Sequence, residues 1–462
     1  MARISIVNFF VISKEEIFSA EKYQEEILKY MNVLHQLYEQ KKCIYLENIA
    51  KVLTNGATPY MPDYKSGSVR FLTAENIGIL EIHEKPIKWI TLKNNMWIKR
   101  SELEIGDVLI TIKGKLGCAA VLIEKFAKHI NINQDIARMV VKDINPFYVA
   151  TFLNSKYGSA QFDLKFVGQI NKFVGLEKLK EFLIPILPES FQRNIEQLVR
   201  QAYEKRKLAE QKYQQAEEKI YKLLGISKEK IEKLEAEKAY ETNFNGVRQA
   251  FRFDAEYYHP KYLGVVELLK KIPFEVKPLK EVVKISNEKL DPTKEQYKTK
   301  KFKYIPIAKI SESGEIFEWE EFYGWQAPSR ARMVIKRGDI LIPSLIGTFD
   351  KIALVPEELD GHLATTGCFV VRSKDDYPEF LFLLFRSPLF KRQLEQQTTG
   401  AIMSAVPQTV FGNLLVPDIP KDEQREIANL VNEYFKLRKE ARRLVRRAIR
   451  EVEEVIENAS RS

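Results

Sequence analysis

Cysteine and histidine are scarce in this chain, and long apolar runs are missing from it. The three cysteines, Cys43, Cys118 and Cys368, lie far apart, are odd in number and show no CxxC or Cys/His spacing. That argues against a disulfide framework and against zinc, and makes a cytoplasmic location the default expectation. The five histidines, His35, His83, His129, His259 and His362, are scattered without a partner at metal or triad spacing, so each reads as a surface or packed residue. Near the start the longest apolar stretch is ISIVNFFVI at 4–12, which runs directly into Ser13-Lys14-Glu15-Glu16. It is about half of what a bilayer requires, and it predicts a buried strand or the start of a helix rather than a signal peptide. Glycine-rich nucleotide loops are also missing, since neither GxxxxGK[ST] nor GxGxxG occurs. The nearest phrase, Gly114-Lys115-Leu116-Gly117, has too few glycines and reads as a tight loop between strands, a kind of loop that can still touch nucleic acid.

What is present points to a folded protein of several domains. At 462 residues the chain is too long for one ordinary core, and its 45% hydrophobic and 29% charged residues exclude a disordered chain. Lys and Arg exceed Asp and Glu by 73 to 63, a net charge of +10. That surplus fits a polyanion-binding surface, although surplus lysine also serves solubility.

Sliding the chain on itself is the most informative operation. At a shift of 232 residues IGDVLI (105–110) falls on RGDILI (337–342), Asp143 on Asp375, Asn154-Ser155 on Arg386-Ser387 and Gly168 on Gly400. The same shift carries FLIPIL (182–187) onto LLVPDI (414–419), Gln192-Arg193 onto Gln424-Arg425 and Ile195 onto Ile427. With small slips LENIAKV (46–52) resembles LKEVVKI (279–285), and VRFLTAENI (69–77) resembles FKYIPIAKI (302–310). The chain is therefore two copies of one unit of roughly 230 residues, too long for a solenoid repeat and about right for a globular domain with an appendage.

Each copy begins β-rich, with short runs such as SVRFLTA, DVLITI and IARMVV between Gly, Pro and Asn turn signals. Asn145-Pro146 and Tyr377-Pro378 then predict helix starts, so each copy reads as an α+β domain. Each ends in a long amphipathic helix. The first carries Ile195, Leu198, Ala202, Ala209, Tyr213, Ala216, Ile220 and Leu223 at helical 3/4 spacing, with Lys205 as a polar interruption. The second carries Ile427, Leu430, Tyr434, Leu437, Ala441, Leu444, Ala448, Val452 and Val455. Neither stripe can be buried by its own helix, so the two are expected to pack together or against a partner. Between them, 225–248 is a Lys/Glu-rich connector with some helical character.

Catalytic constellations find little support. Asn145-Pro146-Phe147-Tyr148 resembles the Asn-Pro-Pro-Tyr with which amino-methyltransferases grip a base, but the second proline is missing and the aligned stretch is DDYPEF. Helix initiation explains it better. Pro62-Asp63 with the many Glu-x-Lys triplets imitates a nuclease signature that neither copy repeats. The basic run RKEARRLVRRAIR (438–450) reads as a solvated helix face outside the second seam, with DNA or partner contact as the other reading.

The phrases GDVLI/GDILI, LIPIL followed by FQRNI, and LVPDIPKDEQREI, in this order and repeated at one spacing over nearly the whole chain, resemble the specificity subunits of type I restriction-modification systems. Lys222-Leu223-Leu224-Gly225 also looks like that family's helix ending. The resemblance implies two tandem related α+β target recognition domains, each followed by a long helix, the two helices pairing as an antiparallel coiled coil. The expected boundaries are 1–189 for the first domain with an N-terminal segment, 190–226 for the first spacer helix, 227–418 for connector and second domain, and 419–462 for the second helix. It implies a non-catalytic subunit that binds double-stranded DNA at a bipartite, asymmetric site, two modification subunits that methylate adenine, and restriction subunits. S-adenosylmethionine, ATP and Mg would then belong to those partners, with no cofactor or metal in this chain and no membrane partner. A type II system whose partner fuses both activities, an enzyme with an unrecognised site, and a scaffold binding only protein are the alternatives.

DNA contacts are expected from loop residues able to reach phosphates or base edges. In the first copy these are Asn55, Thr58, Lys113, Lys115, Asn133, Gln134, Gln169, Asn171 and Lys172. In the second they are Arg330, Arg332, Ser344, Thr348, Thr365, Thr366, Thr398, Thr399 and Ser404. Lys113-Gly114-Lys115 against Leu345-Ile346-Gly347, and Asn133-Gln134 against Thr365-Thr366, change polar character while the Gly-Asp and Ile-Pro framework persists. Framework kept with loops altered is what two different half-sites require.

Overall fold

In the computed structural model, which describes residues 24–461 apart from 237–239, 243, 375–376 and 400–403, each copy of the repeat builds a similar set of sheets. The apolar stretch at 4–12, and Asp375 and Gly400 of the repeat, lie outside the described residues. Two units result: one takes the chain up to Lys207 together with the residues from Leu437 on, the other Leu208–Lys436.

Unit 1 contains β1 (Cys43–Tyr45), β2 (Ala50–Asn55), β3 (Val69–Leu72), β4 (Ile77–Gly78), β5 (Glu81–Ile82), β6 (Trp89–Ile90), β7 (Val108–Thr111), β8 (Ala119–Val121), β9 (His129–Ile132), β10 (Ile136–Val141) and β11 (Leu183–Pro185). They form a four-stranded sheet β2-β10-β7-β8, a three-stranded sheet β6-β3-β9 with β3 and β9 parallel, and the small pairs β1-β11 and β4-β5. Strands β7 and β8 are buried along their whole length and are covered by helix Pro146–Leu153, which fits their continuous apolar composition. That helix starts as the sequence predicts. Pro146 opens it, and the Asn145 carboxamide oxygen accepts from the backbone N–H of Phe147 at 2.9 Å. The same amide donates to Glu196 at 2.6 Å, so Asn145 is fully occupied in the fold.

Unit 2 repeats the plan with β12 (Val276–Pro278), β13 (Val283–Ser286), β14 (Lys301–Ile305), β15 (Glu320–Tyr323), β16 (Ala331–Val334), β17 (Ile340–Pro343), β18 (Ala353–Leu354), β19 (Leu363–Thr365), β20 (Cys368–Ser373) and β21 (Leu415–Pro417). Its sheets run β13-β20-β17-β18, β15-β14-β19-β16 and β12-β21. Pairing of Cys43 with Pro185 recurs as Val276 with Pro417. Ile184-Pro185 of the first copy and Val416-Pro417 of the second thus occupy equivalent strands. The connector forms helices Lys228–Ala236 and Phe244–Ala250.

The two long helices are Glu189–Leu224 and Lys421–Arg461, about 54 and 62 Å at 1.5 Å per residue. They pair as an antiparallel coiled coil. In unit 1 Asn194 donates to Glu451 at 2.9 Å and Lys205 pairs with Glu440 at 2.7 Å. In unit 2 Lys212 pairs with Glu433 at 2.7 Å, and Lys219 with Glu426. The seam residues of the first helix include Ile195, Val199, Ala202, Ala209, Ala216 and Ile220, all buried.

Two details of the seam differ from the sequence reading. On the second helix Val431, Val445 and Ile456 are buried, whereas Leu430, Leu444 and Val455 are only partly so. The polar interruption is not Lys205, which reaches Glu440 at the surface, but its neighbour Arg206. Arg438, at the 232-residue shift from Arg206, is likewise buried, so it does not belong to the solvated basic face. Further along that run Arg447 and Arg450 pair with Glu451 and Glu454 one turn on, as a solvated face predicts.

Both buried arginines converge on Glu81 of β5: Arg206 Nε lies 3.2 Å from one carboxylate oxygen, and Arg438 donates to the other at 2.9 Å. Arg206 also donates to the Leu80 carbonyl at 2.6 Å. Burial by itself pushes the Glu81 carboxyl up, but the charges of Arg206 and Arg438 outweigh it and hold the group at about 2. Unit 2 joins its domain to the helices differently. Arg386 donates to the Tyr213 hydroxyl at 3.1 Å and to the carbonyls of Asp350 and Glu312 at 2.8 and 2.6 Å.

The three cysteines are buried and free. Burial pushes the thiols of Cys43 and Cys368 up to about 12 and raises that of Cys118. Thiolate is the reactive form, so a thiol-specific disulfide reagent at pH 8 is expected to label none of them in the native chain and all of them in denaturant. Mass spectrometry after a timed pulse checks this; rapid native labelling of Cys43 or Cys368 contradicts the packing.

Candidate nucleic-acid interface

The repeated Gly-Asp phrase is a turn that launches a buried strand. Gly106 and Gly338 hold φ of +92° and +79°, in the left-handed region that favours glycine. The aspartate after each is buried and closes the turn, Asp107 accepting from the Glu104 N–H and Asp339 from the Lys336 N–H, each at 2.8 Å. Each also holds an arginine of the neighbouring strand: Arg138 Nε reaches Asp107 at 2.6 Å, and Arg372 Nε reaches Asp339 at 2.7 Å. These arginines are not equivalent in register. Arg138 is opposite Leu109, but Val370 is opposite the corresponding Leu341. Alternate residues of a strand share a face, so two positions supply the same ion pair.

Where these strands end, each unit gathers three loops with the same backbone bonds. In unit 1 the N–H of Ile112 donates to the Asp135 carbonyl, Gly114 to Lys172 and Val174 to Ile112, at 2.9, 3.2 and 2.9 Å. In unit 2 Ser344 donates to Gly367, Ile346 to Ser404 and Val406 to Ser344, at 2.9, 3.0 and 2.9 Å. Exchanged bonds between Val167 and Phe173 close a ribbon in unit 1, and Thr399 and Ala405 exchange the same bonds in unit 2. Every donor and acceptor in one set maps onto the other at the 232-residue shift.

This geometry collects the loop residues singled out in the first copy. Lys113 and Lys115 lie on the strand-end loop, exposed, with Lys113 4.0 Å from Asp135 and the charge of Lys115 opposing the rise that burial gives the Cys118 thiol. Gln134 is exposed and receives the Thr58 hydroxyl, while Asn55 ends β2 opposite Ala137. Gln169, Asn171 and Lys172 are exposed on the ribbon, and the Lys172 ammonium lies 4.2 Å from the centre of the Phe166 ring. Asn133 differs from these. It is buried, donates to the Asp135 carboxylate at 2.8 Å and accepts the Asp135 N–H at 3.2 Å, so it builds the turn.

In the second copy Thr365 has the same turn-building part, buried and accepting the Gly367 N–H at 3.2 Å, while Thr366 is exposed. The Ser344 hydroxyl donates to Gly367 at 3.0 Å, that of Thr348 to Leu345 at 2.6 Å and that of Thr398 to Glu395 at 2.8 Å. Thr399 and Ser404 stand on the two sides of the ribbon. Arg330 is exposed beside the turn, its carbonyl accepting from Thr366, whereas Arg332 is folded back onto the Pro328 carbonyl at 3.0 Å and lies 3.5 Å from Asp291.

Polarity was the signal followed in the sequence, and it passed over exposed apolar residues. Ile170 at the ribbon tip is 95% exposed, and Tyr60, Met61 and Trp325 are also solvent-facing. Among the described residues no His, Cys, Asp and Glu cluster could hold a metal ion, and no helix is long and apolar enough to cross a membrane.

Comparison with known proteins bears on the second copy above all. Residues 271–444 match the family model described as the Type I restriction modification DNA specificity domain. Among solved structures, a chain from a study of complex assembly and conformational transition in the type I R-M system is 36% identical, over 37% of this chain and 45% of that one, with a TM-score of 0.32. The HsdS subunit from Thermoanaerobacter tengcongensis is also 36% identical, over 37% of this chain and 44% of that one, at a TM-score of 0.32. The type I restriction-modification S subunit from M. genitalium is 12% identical over 90% of this chain and 94% of that one, at a TM-score of 0.41. The match thus spans less than half the length of the first two. No curated protein sequence matches the chain.

Proposed function

We propose, for a chain whose residues 271–444 carry a type I restriction modification DNA specificity domain, that both units are target recognition domains of a non-catalytic specificity subunit. Each reads one half of a bipartite, asymmetric DNA site, with the paired helices as the spacer. Two modification subunits methylate the site that this chain selects, using their own S-adenosylmethionine, and restriction subunits add ATP-driven cleavage. The observation that carries the reading is the recurrence of the same three-loop end in unit 1, which the family match does not cover. Backbone scaffold is repeated bond for bond while the side chains it carries differ, exposed Lys113 and Gln134 standing against half-buried Leu345 and exposed Thr366. Proteins distinguish base pairs by such side chains on a common scaffold, so two scaffolds with different tips select two different half-sites.

Co-expression with the modification subunit and mapping of methylated adenines in the host genome tests this. An interrupted motif is expected. Exchanging residues 105–175 for the corresponding segment of a related chain is expected to change one half of the motif and leave the other. A change in both halves or in neither contradicts the assignment, as does methylation or cleavage by the purified chain alone.

A further inference from the structure

The ribbon of unit 1 ends in an aliphatic side chain where its neighbours are polar. Gln169, Ile170, Asn171 and Lys172 follow one another around the tip, and Ile170 is 95% exposed. The tip is conformationally set. Gly168 has φ of +86°, and a Cβ there would come within 2.6 Å of the Asn171 carbonyl oxygen, so only glycine makes this turn. Its base is held by the bonds between Val167 and Phe173, by the Gly114 N–H on the Lys172 carbonyl and by the Lys172 ammonium over Phe166.

A two-stranded ribbon is of a size that enters the major groove of B-DNA. The groove's one apolar feature is the thymine 5-methyl group, and the adenine paired with it offers N6 and N7 to an Asn or Gln side chain. Ile170 between Gln169 and Asn171 matches an A·T pair in both respects, and exposed Lys113 and Lys172 supply charge complementary to the flanking phosphates. An apolar protein partner is a poorer match, because Gln169, Asn171 and Lys172, which flank Ile170 at the tip, are amide-bearing or cationic, while the other exposed apolar residues, Val167 and Phe173, stand at the base of the ribbon. We infer that Ile170 packs on a thymine methyl in the half-site read by unit 1 and makes that position a specificity determinant. This rests on the reading of unit 1 as a DNA-recognition domain.

The test uses the complex of the chain with its modification subunit and duplexes carrying the mapped motif. Each thymine of the half-site assigned to unit 1 is replaced in turn by deoxyuridine, which lacks only the methyl group. One replacement is expected to weaken binding about four-fold, the worth of one buried methyl-sized group. The Ile170→Ala complex is expected to bind the thymine and uracil duplexes alike at that position. The inference is overturned if no uracil matters, if the uracil effect survives in Ile170→Ala, or if Ile170→Ala weakens assembly with the modification subunit instead of base discrimination. A wild-type complex that methylates no interrupted motif overturns the parent reading as well, whereas normal methylation with indifference to uracil overturns this inference alone.

Discussion

Glu81→Ala is expected to lower the thermal transition of unit 1 by roughly 10 °C, the largest effect of any single substitution considered for this chain. The carboxylate is the shared partner of Arg206 and Arg438, both buried in the helix pair. Removing it takes the shared counter-charge from two buried guanidinium groups, and the loss of one partner from a buried ionic cluster costs about 3–5 kcal/mol. The pH dependence has a definite sign. Glu81 titrates near 2 in the folded chain against an ordinary glutamate value of 4.5, a difference of about 3 kcal/mol in favour of the folded state. That stabilisation is complete above pH 4.5, fades as pH falls from there, and is gone below about 2. Calorimetric scans from pH 7 to pH 3 check it: the wild-type transition is expected to approach that of Glu81→Ala as the pH falls, and parallel curves contradict it. A second variant separates stability from placement. Replacing Glu81, Arg206 and Arg438 together by Leu, Met and Met is expected to recover most of the loss, because apolar packing replaces buried ion clusters at little or no cost.

Asp339→Asn is expected to destabilise unit 2 by about 3 kcal/mol. Asp339 is fully buried and answers both the Lys336 N–H and the guanidinium of Arg372, whose side chain is 24% exposed. Asparagine keeps the volume but offers one acceptor oxygen in place of two and removes the charge that neutralises Arg372. A double-mutant cycle with Arg372→Met isolates the pair, and a coupling of about 1–3 kcal/mol is expected from denaturant unfolding followed in unit 2. Additive losses indicate that the aspartate acts only through the turn. Hydrogen exchange supplies a second readout: protection in β17 and β20 is expected to fall in Asp339→Asn, with β7 and β10 of unit 1 unchanged.

Much of the architecture was legible because the sequence is written twice. The phrases around Gly106 and Gly338, and the Ile-Pro strands at 184–185 and 416–417 as Ile-Pro and Val-Pro, fell on equivalent elements at one shift. Proline and asparagine announced helix Pro146–Leu153, since a missing N–H and a side-chain acceptor are useful only at a first turn. The 3/4 spacing of Ile195, Leu198, Ala202 and the apolar residues that follow announced the first long helix. All of these are local constraints, which a neighbouring residue cannot reverse.

What the sequence left open concerned partners. Leu430-Val431, Leu444-Val445 and Val455-Ile456 each set two apolar residues side by side, so hydrophobicity alone could not say which of each pair enters the seam. Packing against the facing helix selected the second of each. Lys205 and Arg206 posed the same choice, resolved by a carboxylate that lies 125 positions upstream of Arg206 in sequence. Asn133 and Thr365 looked like loop residues free to meet DNA, and the backbone N–H two residues on claims each of them. The sequence by itself determined the repeat, the classes of its elements and the ends of its helices, because periodicity, proline and glycine act within a few residues. Only the tertiary structure decided which side chains face solvent at the loop ends and which are consumed by the scaffold, because that depends on groups brought together from far along the chain.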